Sequence, residues 1–385
     1  MVESDFLHLE RVRDPYDLWA SDAGVSVRRK YYSGEMMGRI GAIGLGLFDW
    51  FMPDLSRKMV AAAPLQYPIV LGHEILRRFG KLSKKDAHDA LESIMATSSN
   101  FAKGRAWGLG FPWMCKNGLY GPEIPFVTHT PYVMEALLAL STHPSIAVQA
   151  MEFFHDTWDF LENLKVMHRG ADDLALSYAP VDEPRMVINA NSYASFAYAM
   201  HAVHGKAERR DVAAEKALKL ARWVVRQQQA DGSWLYYADS ESGNFIDCFH
   251  SCFVVKNLLK AGDLVHPLRE EVCVAVESGW RFIRDAFYDK ESGLCRRFTM
   301  RAQRDPFKWD LYDQAEYLGL LIDFGLLDEA GEFAKRVEAI FRKGNDWYCR
   351  VDMFGRPWGK NFLRWGIAPF WYHSGRLNGE NKCVA

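Results

Sequence analysis

A helical motif recurs along this chain about every sixty residues, and this repetition limits the fold more than any other feature. Each copy is a polar start followed by an apolar run at helical spacing. The copies begin at five residues: His129, Asn189, Asp247, Asp310 and Arg364. The spacings between these starts are 60, 58, 63 and 54 residues. Because such a period holds two helices and two loops, we predict that every unit is a helical pair.

The second helix of each unit is amphipathic, with apolar residues at i, i+3, i+4 and i+7 and charged residues between them. Four such helices are predicted, over residues 147–164, 211–228, 268–287 and 328–343. Three further helices precede the repeats, over residues 35–50, 67–79 and 84–97. The first-type helices carry fewer charges and more small and aromatic residues, so we expect them to be almost fully buried.

Buried and half-exposed helices that alternate at a constant period close naturally into an inner and an outer ring. An open solenoid needs polar capping repeats at both ends, whereas the last inner-type helix, ending near Leu377, is apolar and aromatic. We therefore predict an all-α fold, an (α/α)5–6 toroid with short β-hairpin loops at one mouth; the alternative is an open stack. The predicted divisions are an N-terminal extension (1–34), one toroid domain (35–377) and a C-terminal tail (378–385).

The charge and the cysteine content of the chain limit its possible binding partners and its cellular compartment. The chain has 47 basic and 49 acidic residues, a formal net charge of −2, which argues against a dominant basic field for nucleic acid or anionic lipid. Its seven cysteines are scattered, and no CxxC occurs, so we expect free thiols in a reducing compartment. Residues 1–19 lack a signal-peptide pattern, and the apolar stretch 40–52 is shorter than the roughly 20 residues of a membrane span. We predict a cytoplasmic protein in which that stretch is a buried or membrane-surface helix.

In a toroid, the leading ends of the inner helices line one mouth of a central cavity, and the polar starts of the motifs fall there. Asp247 and His250, at i and i+3, share a helix face, and a carboxylate in the first turn gains from the helix dipole. They are candidates for catalysis; an N-cap at Asp247 beside a packed His250 is the alternative. Asp310 and Asp313 have the same spacing. Capping is the favoured interpretation for either alone, but two carboxylates facing one cavity would raise one pKa and create a general acid.

Other polar and aromatic residues near these starts suit sugar binding, because aromatic faces stack on pyranose rings and planar polar groups bond hydroxyls. Tyr178 is a further catalytic candidate, as a phenolic base. The candidates for substrate binding are His129, Tyr132, Asn189, Asn191, Trp234, Tyr237, Trp309, Arg364 and Trp365. His129 would position a hydroxyl, unless the segment only caps a helix through Thr128 or Thr130. Arg364 would clamp a carboxylate or brace a helix end.

Two local predictions accompany these candidates. Asn189 and Asn191, two residues apart, cannot both face one way on a regular helix, so one of them is expected to cap it. The segment 229–237 contains Asp231-Gly232 followed by alternating aromatics, which predicts a turn and then a short hairpin.

Several motifs are absent from the sequence. It contains no GxxxxGK[ST], GxGxxG, GxSxG or HExxH pattern, and no DxDD or aspartate-rich magnesium motif. We therefore predict neither a cofactor nor a metal.

Two stretches resemble known families. Gln229-Ala-Asp-Gly-Ser-Trp234 is similar to the QW-type repeat of squalene cyclases and prenyltransferase β subunits, which are α/α toroids. The run from His129-Thr-Pro-Tyr132 through Ser177-Tyr-Ala-Pro180 to Ile246-Asp-Cys-Phe-His250 resembles proteins of bacterial exopolysaccharide and O-antigen gene clusters, called prenyltransferase-like or VpsJ-like. That resemblance covers roughly residues 100–377. Asp247 and His250 match that family, whereas Cys248, Cys252 and Phe253 depart from its usual Asn-Phe-His-Thr-Gly-Tyr.

The end of the chain, Arg364-Trp365 to Pro369-Phe-Trp-Tyr372, resembles glucuronyl C5-epimerase-type enzymes. Together these features predict a carbohydrate-active enzyme of polysaccharide biosynthesis, acting as an epimerase, lyase or hydrolase on a glycan, with uronates among the candidate sugars. The alternatives are an isoprenoid-binding or terpenoid-cyclase-like protein and a non-catalytic glycan-binding toroid. The expected partner is a glycan or a lipid-linked or nucleotide-linked sugar, without nucleic acid or a transmembrane span.

Overall fold

A computed structural model describes residues 17–59, 64–101, 103–241, 243–299 and 306–377. Helices dominate these ranges. They are α1 (Asp17–Ala20), α2 (Asp22–Tyr32), α3 (Met36–Phe51), α4 (Pro53–Met59), α5 (Pro68–Arg77), α6 (Lys84–Ala96), α7 (Thr130–Leu140), α8 (Ala147–Asn163), α9 (Ile188–His204), α10 (Arg210–Arg226), α11 (Cys248–Leu264), α12 (His266–Phe287), α13 (Leu311–Asp323), α14 (Leu327–Phe341) and α15 (Ala368–Leu377). All seven helices that the periodicity predicts are present, and their ends agree within two residues.

The strands are short and antiparallel. They are β1 (Trp113–Cys115), β2 (Gly118–Tyr120), β3 (Val166–Arg169), β4 (Leu174–Leu176), β5 (Tyr288–Asp289), β6 (Leu294–Cys295), β7 (Phe307–Asp310), β8 (Arg342–Lys343), β9 (Asp346–Asp352) and β10 (Pro357–Lys360). Three pairs, β1–β2, β3–β4 and β5–β6, form two-stranded sheets. In the fourth sheet, β9 pairs with β7, β8 and β10. Every strand lies in a connection that leads into an inner helix.

Six helices form a closed inner ring. Each of α5, α7, α9, α11, α13 and α15 packs against the next, and α15 packs back against α5. At that closure the rings of His73 and Tyr372 lie 5.5 Å apart. The predicted closed toroid is confirmed, and the open stack is excluded by the contact between the first and last inner helices.

Five outer helices, α6, α8, α10, α12 and α14, pack against this ring. Connections from an inner to the following outer helix are short; α11 and α12 are separated by Val265 alone. Connections from an outer to the next inner helix are long and carry the hairpins, so the leading ends of all inner helices open towards one elaborated mouth.

The inner helices are buried on all sides because their sequences are small, apolar or aromatic. In α9 every residue from Ile188 to His201 is buried, and the Ser195 hydroxyl donates to the Ala217 carbonyl of α10 at 2.8 Å. The outer helices keep one charged face in water; in α10 only six of seventeen residues are buried. The two helix types distinguished in the sequence are therefore the two rings.

The turn predicted at Asp231-Gly232 is present, with the Gly232 amide donating to the Gln229 carbonyl at 2.9 Å and a positive φ of 90° at Gly232. The regular hairpin predicted after it is not formed within the described residues. Instead Tyr237 makes an isolated bridge with Val187, because this segment pairs with the chain that leads into α9.

The N-terminal helices α2 and α3 pack against each other beside the ring. Trp50 at the end of α3 donates through Nε1 to Asp352 of β9 at 3.1 Å, which ties this pair to the sheet at the cavity mouth. No helix in the described ranges is long and apolar enough to cross a membrane. The division of the chain into extension, toroid and tail stays a prediction.

Candidate active site

A cavity of about 70 Å³ lies where the leading ends of the inner helices meet. Its walls combine aromatic rings with a few polar groups. The lining residues are Ile69, Thr128, His129, Tyr132, Tyr178, Asn189, Tyr193, Phe249, His250, Phe253, Tyr312, Arg364 and Trp365. They come from all six inner helices or the residues just before them, so the ring brings together side chains that are up to about 300 residues apart in sequence.

Asp247 and His250 form a hydrogen-bonded pair at this cavity. Asp247 is the N-cap of α11, accepting from the His250 amide at 3.1 Å. The same carboxylate holds the His250 ring, whose Nδ1 lies 2.8 Å from each carboxylate oxygen. The capping and pairing interpretations therefore both hold. Because Nδ1 is bonded to the carboxylate, Nε2 is the His250 nitrogen that remains for a ligand.

His250 keeps limited access to solvent: 21% of its side chain is exposed, against 2% for Asp247. Aromatic rings pack around it, with the Phe249 and Tyr236 centroids 4.0 and 4.6 Å from its own. A base in these surroundings is oriented by one carboxylate and shielded on its faces, while its Nε2 edge stays open to a ligand.

A second histidine faces the same cavity through a chain of hydroxyl groups. Thr128 Oγ1 donates to the Tyr178 hydroxyl at 2.9 Å and lies 3.2 Å from His129 Nδ1. Since Thr128 has one proton to donate, His129 Nδ1–H donates to it, and the lone pair of His129 is at Nε2. That nitrogen is buried without a hydrogen-bond partner. Burial, with the charge of Arg364, lowers the pKa of His129 to about 3, so its ring is neutral at physiological pH.

His129 is itself the N-cap residue of α7, and no side chain caps this helix. The alternative in which Thr128 or Thr130 caps it therefore does not hold. Burial raises the pKa of Tyr178 well above its usual range, which keeps its phenol protonated. With Thr128 donating to its oxygen, the Tyr178 proton is available to a ligand.

Asn189 and Asn191 have different surroundings. Asn189 lines the cavity, and its Oδ1 is buried without a partner. Asn191 lies outside the lining and bonds β4, accepting from the Leu176 amide at 2.7 Å and donating to the Val187 carbonyl at 3.0 Å. The prediction that one of the two asparagines caps α9 is wrong: the N-cap residue is Val187, without a side-chain cap.

Arg364 lies at the cavity in the kinked segment Leu363–Ile367 that precedes α15, in which Trp365 and Gly366 have non-helical backbone angles. Its guanidinium is buried over the ring of Trp365, 4.4 Å from the centroid, and Trp365 in turn meets Tyr312 edge-on at 5.2 Å. This is the one arginine among the cavity-lining residues, and it supplies a positive charge at the cavity that the two histidines line.

Asp310 and Asp313 do not line the cavity. Asp310 caps α13, accepting from the Tyr312 amide at 3.0 Å, and bonds Arg297 at 2.6 Å and Arg350 at 2.7 Å. Asp313 is fully buried and accepts from the Phe249 amide at 3.1 Å; burial raises its pKa well above the usual range. The opposed carboxylates that a general acid and its partner require are therefore not assembled here.

The remaining aromatic candidates divide between two places. Tyr132 and Trp365 line the cavity, whereas Trp234 lines a smaller cleft behind His250, with its Nε1 bonded to the Val224 carbonyl at 2.9 Å. Tyr237 and Trp309 belong to neither lining. Tyr237 lies under the Arg185 guanidinium, 3.7 Å from its centroid, which makes it a packing residue of the mouth.

Sequence reasoning missed four aromatic residues of the lining. They are Tyr193, Phe249, Phe253 and Tyr312. A helical count from the recognised residues would have found two of them, since Tyr193 is four residues after Asn189 and Phe253 is three after His250. Below the cavity, the Tyr132 and Tyr193 hydroxyls are 2.6 Å apart.

Glu183 supports the Tyr178 loop from behind. It accepts from the Tyr178 amide at 2.7 Å, the Ala179 amide at 3.1 Å and the Tyr120 hydroxyl at 2.7 Å. Burial raises the pKa of Glu183 to about 7. Among the described residues, no group of three or more His, Cys, Asp or Glu side chains is placed to hold a metal ion.

The sequence matches no protein-family model, and no curated protein is similar to it. Its fold is similar to that of solved sugar-modifying proteins. A sugar epimerase from a ruminal bacterium and a D-mannose isomerase each have 12% identity and a TM-score of 0.59, over 82% of this chain and 87% of the other. A cellobiose 2-epimerase from Bacillus thermoamylovorans has 10% identity and a TM-score of 0.58, over 81% and 86%. This likeness establishes the shared α/α-toroid fold.

Proposed function

We propose that this protein is a sugar epimerase or isomerase that moves a proton at the carbon next to a carbonyl group. The observation that carries the proposal is the Asp247–His250 pair, in which the carboxylate holds Nδ1 at the wall of a cavity. The cavity also contains two buried polar atoms without partners, His129 Nε2 and Asn189 Oδ1. Buried polar atoms of this kind are costly unless a ligand or water satisfies them.

Each polar group has a role in this reaction. His250 Nε2 takes the proton from the carbon next to the carbonyl, and the electrons of the broken C–H bond form an enediolate. The positive charge of Arg364 stabilises the enediolate oxygen. His129, neutral because of its low pKa, accepts a hydrogen bond from a sugar hydroxyl. Asn189 bonds a second hydroxyl.

The fate of the proton decides the product. Delivery by the Tyr178 hydroxyl to the opposite face of the same carbon gives the epimer, after which solvent carries a proton from His250 to Tyr178. Return by His250 to the neighbouring carbon, with transfer of the hydroxyl proton from one enediolate oxygen to the other, gives the isomer and moves the carbonyl. Neither route consumes an oxidant or a water molecule.

Two observations favour this chemistry over the alternatives. Glycoside hydrolysis uses two carboxyl groups on either side of the bond, and neither Asp310 nor Asp313 lines the cavity. An isoprenoid site would be apolar throughout, whereas this cavity has two histidines, an asparagine and an arginine among its aromatic rings.

The cavity size constrains how a sugar binds. At about 70 Å³ it is smaller than ligand pockets of roughly 300–1,000 Å³, so the reacting end of the sugar enters it while the rest extends through the mouth. Arg364 suits a uronate carboxylate as well as an enediolate. Together with the resemblance to proteins of exopolysaccharide and O-antigen gene clusters, this supports a role in polysaccharide biosynthesis, on a glycan or a lipid-linked or nucleotide-linked sugar.

The test is incubation of the purified protein with aldoses, disaccharides and uronate-containing oligosaccharides in deuterated water. Proton abstraction predicts that deuterium enters the sugar at one carbon, read by mass spectrometry, and that an epimer or isomer appears in the NMR spectrum. A lyase would produce an unsaturated product that absorbs in the ultraviolet, and a hydrolase would add one water.

His250→Ala should abolish deuterium incorporation, because the other histidine of the lining, His129, has a pKa lowered to about 3 and is a much weaker base. The matched control is His143→Ala, a partly exposed histidine on the opposite side of the ring in the α7–α8 connection. Equal incorporation by both variants, or none by the wild-type protein with any sugar of the panel, would contradict the proposal.

A further inference from the structure

Helix α3 turns its largest apolar side chains to solvent. Met36, Ile40, Ile43, Leu47 and Phe51 are spaced four, three, four and four residues apart, so they form one stripe along the helix. Their exposed fractions are 74, 56, 64, 45 and 55%. None of the described residues covers this stripe.

The opposite side of α3 packs against α2 through glycines. A Cβ at Gly38 would collide with the α2 backbone at Lys30 and Tyr31, and one at Gly41 would lie 3.1 Å from Val27 Cγ2. Glycine thus allows the two backbones to approach closely. The helix places two of its glycines against α2 and a row of large apolar side chains towards solvent, which is the reverse of an ordinary surface helix.

The stripe continues onto neighbouring elements. Leu55 and Met59 of α4 are 46 and 68% exposed, as are Met353 and Phe354 of the β9–β10 turn at 55 and 67%. The Phe354 ring stacks on Trp50 with its centroid 6.0 Å away, which joins the turn to the end of α3. We call the α3 stripe with these four residues the apolar patch. Since β9 and β10 precede α15, the patch is at the same end of the ring as the cavity mouth.

The helices that carry most of the apolar patch have a small excess of basic residues. Residues 22–59 contain six basic and four acidic residues, although the whole chain has a net charge of −2. One of the four acids, Asp49, is buried in an ion pair with Arg57 at 2.7 Å. The exposed charged residues of the segment are four basic ones, Arg29, Lys30, Arg39 and Lys58, and three acidic ones, Asp22, Glu35 and Asp54. An apolar face with basic neighbours is the pattern of helices that lie in the interface of an anionic membrane.

A second copy of the chain is a poorer occupant. A helix of 16 residues is about 24 Å long and about 10 Å wide, so the α3 stripe, without the four residues on α4 and the turn, covers about 240 Å². A stable protein complex buries about 800 Å² on each partner. Lipid acyl chains need no complementary shape, and the row of separate side chains on α3 and the turn suits insertion between headgroups.

We propose that the apolar patch binds the surface of a membrane that contains anionic lipids. The stripe of α3 enters the boundary between headgroups and acyl chains, and the basic side chains beside it contact lipid phosphates. The cavity mouth then lies close to that surface. Membrane binding is independent of the reaction in the cavity.

The test is flotation of the full chain with vesicles of phosphatidylcholine containing phosphatidylglycerol, and with vesicles of phosphatidylcholine alone. We expect the wild-type protein to float with the anionic vesicles. The variant Ile40→Gln/Ile43→Gln/Leu47→Gln should lose at least about tenfold in partitioning, because three apolar side chains that would be buried in the membrane become polar. The matched control is Val148→Gln/Val274→Gln, which removes two valines that are 75 and 76% exposed on outer helices.

A second variant tests how much the basic side chains contribute to the binding of anionic vesicles. Arg29→Gln/Lys30→Gln/Arg39→Gln should reduce flotation with anionic vesicles several-fold and leave binding to phosphatidylcholine unchanged. Absence of wild-type flotation, or equal flotation of the α3 variant and its control, would overturn the proposal. So would a dimer, seen by light scattering, that the α3 variant abolishes in the absence of vesicle binding, since it assigns the patch to a second copy. Circular dichroism verifies that each variant is folded, and turnover of a free sugar is measured separately.

Discussion

A single carboxylate, Asp247, both caps α11 and orients His250, and these two roles can be separated by substitution. Asparagine caps helices as well as aspartate does, so Asp247→Asn should leave the melting temperature almost unchanged. Its amide cannot hold the His250 Nδ1 proton as a carboxylate does. We therefore expect kcat for proton exchange to fall about 10²- to 10⁴-fold with little change in KM.

The control for this variant is Asp263→Asn, which changes a half-exposed aspartate on the same helix. Rates of deuterium incorporation and thermal unfolding curves are measured for both proteins. If the two variants exchange protons equally fast, Asp247 acts as a cap alone.

Glu183 predicts a pH dependence of stability. Burial raises its pKa from about 4.5 to about 7, so between these values the folded state binds more protons than the unfolded chain. Its contribution to stability is complete below about pH 4.5 and is lost as the pH rises through 7. At 1.36 kcal/mol per pKa unit, the loss is about 3 kcal/mol. Glu183→Gln should flatten the fall in melting temperature over this range, whereas the exposed Glu208→Gln should not.

The spacing of residues along a helix predicted which side chains lie close to each other better than it predicted which other parts of the structure surround them. Asp247 with His250 and Asp310 with Asp313 have the same i, i+3 spacing, yet only His250 of these four residues lies in the main cavity lining. Asp310 is held by Arg297 and Arg350, and the second of these comes from β9, forty residues later. A sequence pattern cannot reveal such a partner, because it is the closure of the sheet that brings the arginine to the carboxylate.

At the scale of elements, two helix glycines test how tightly the inner ring is packed. A Cβ at Gly319 of α13 would lie 2.6–3.0 Å from the His373 ring of α15, whereas one at Gly331 of α14 would meet nothing within 4 Å. Gly319→Ala should therefore destabilise the protein by about 1–3 kcal/mol. Gly331→Ala should stabilise it by up to about 1 kcal/mol, because alanine is the better helix former.

Denaturant unfolding followed by circular dichroism measures both effects. The two glycines are each inside a helix, so the intrinsic gain from alanine is shared and the difference reports the contact between α13 and α15. Equal shifts in the two proteins would mean that His373 moves aside without cost.

Helices were predictable from local periodicity because the alternation of charged and apolar residues reports burial directly. The segment after Gly232 was not, since its alternating aromatics fit a hairpin as well as they fit its bridge to Val187. The sequence also did not reveal which side of α3 faces solvent. Its apolar residues indicate a buried or interfacial helix, but only the close approach of Gly38 and Gly41 to α2 fixes which side faces solvent.

At the scale of the whole molecule, the period of about sixty residues predicted a ring with a common mouth. It did not predict which side chains fill the central channel of the ring, which we call the bore. A polar network fills the bore below the cavity. The Lys256 ammonium donates to Glu316 at 2.7 Å and to the Tyr132 hydroxyl at 3.0 Å, and Tyr132 bonds Tyr193. These four residues come from α11, α13, α7 and α9. Their sequence neighbours are mostly apolar, so each of them alone resembles an isolated polar residue in a buried helix.

The network predicts that substitutions in different repeats have strongly coupled effects on the free energy of unfolding. Lys256 and Glu316 are 5% or less exposed, and removing one member of a buried ion pair leaves an uncompensated charge. Lys256→Met and Glu316→Leu should each destabilise the protein by about 3–5 kcal/mol, whereas the double variant should lose much less than the sum, because neither charge remains in the bore. Denaturant unfolding of the two single variants and the double one gives the coupling energy. The same cycle on the exposed pair Lys219→Met and Glu215→Leu of α10 should give about 0.5 kcal/mol or less. Additive losses for Lys256 and Glu316 would mean that water reaches the bore and screens each charge separately, and the inner ring would then be held together by its apolar contacts alone.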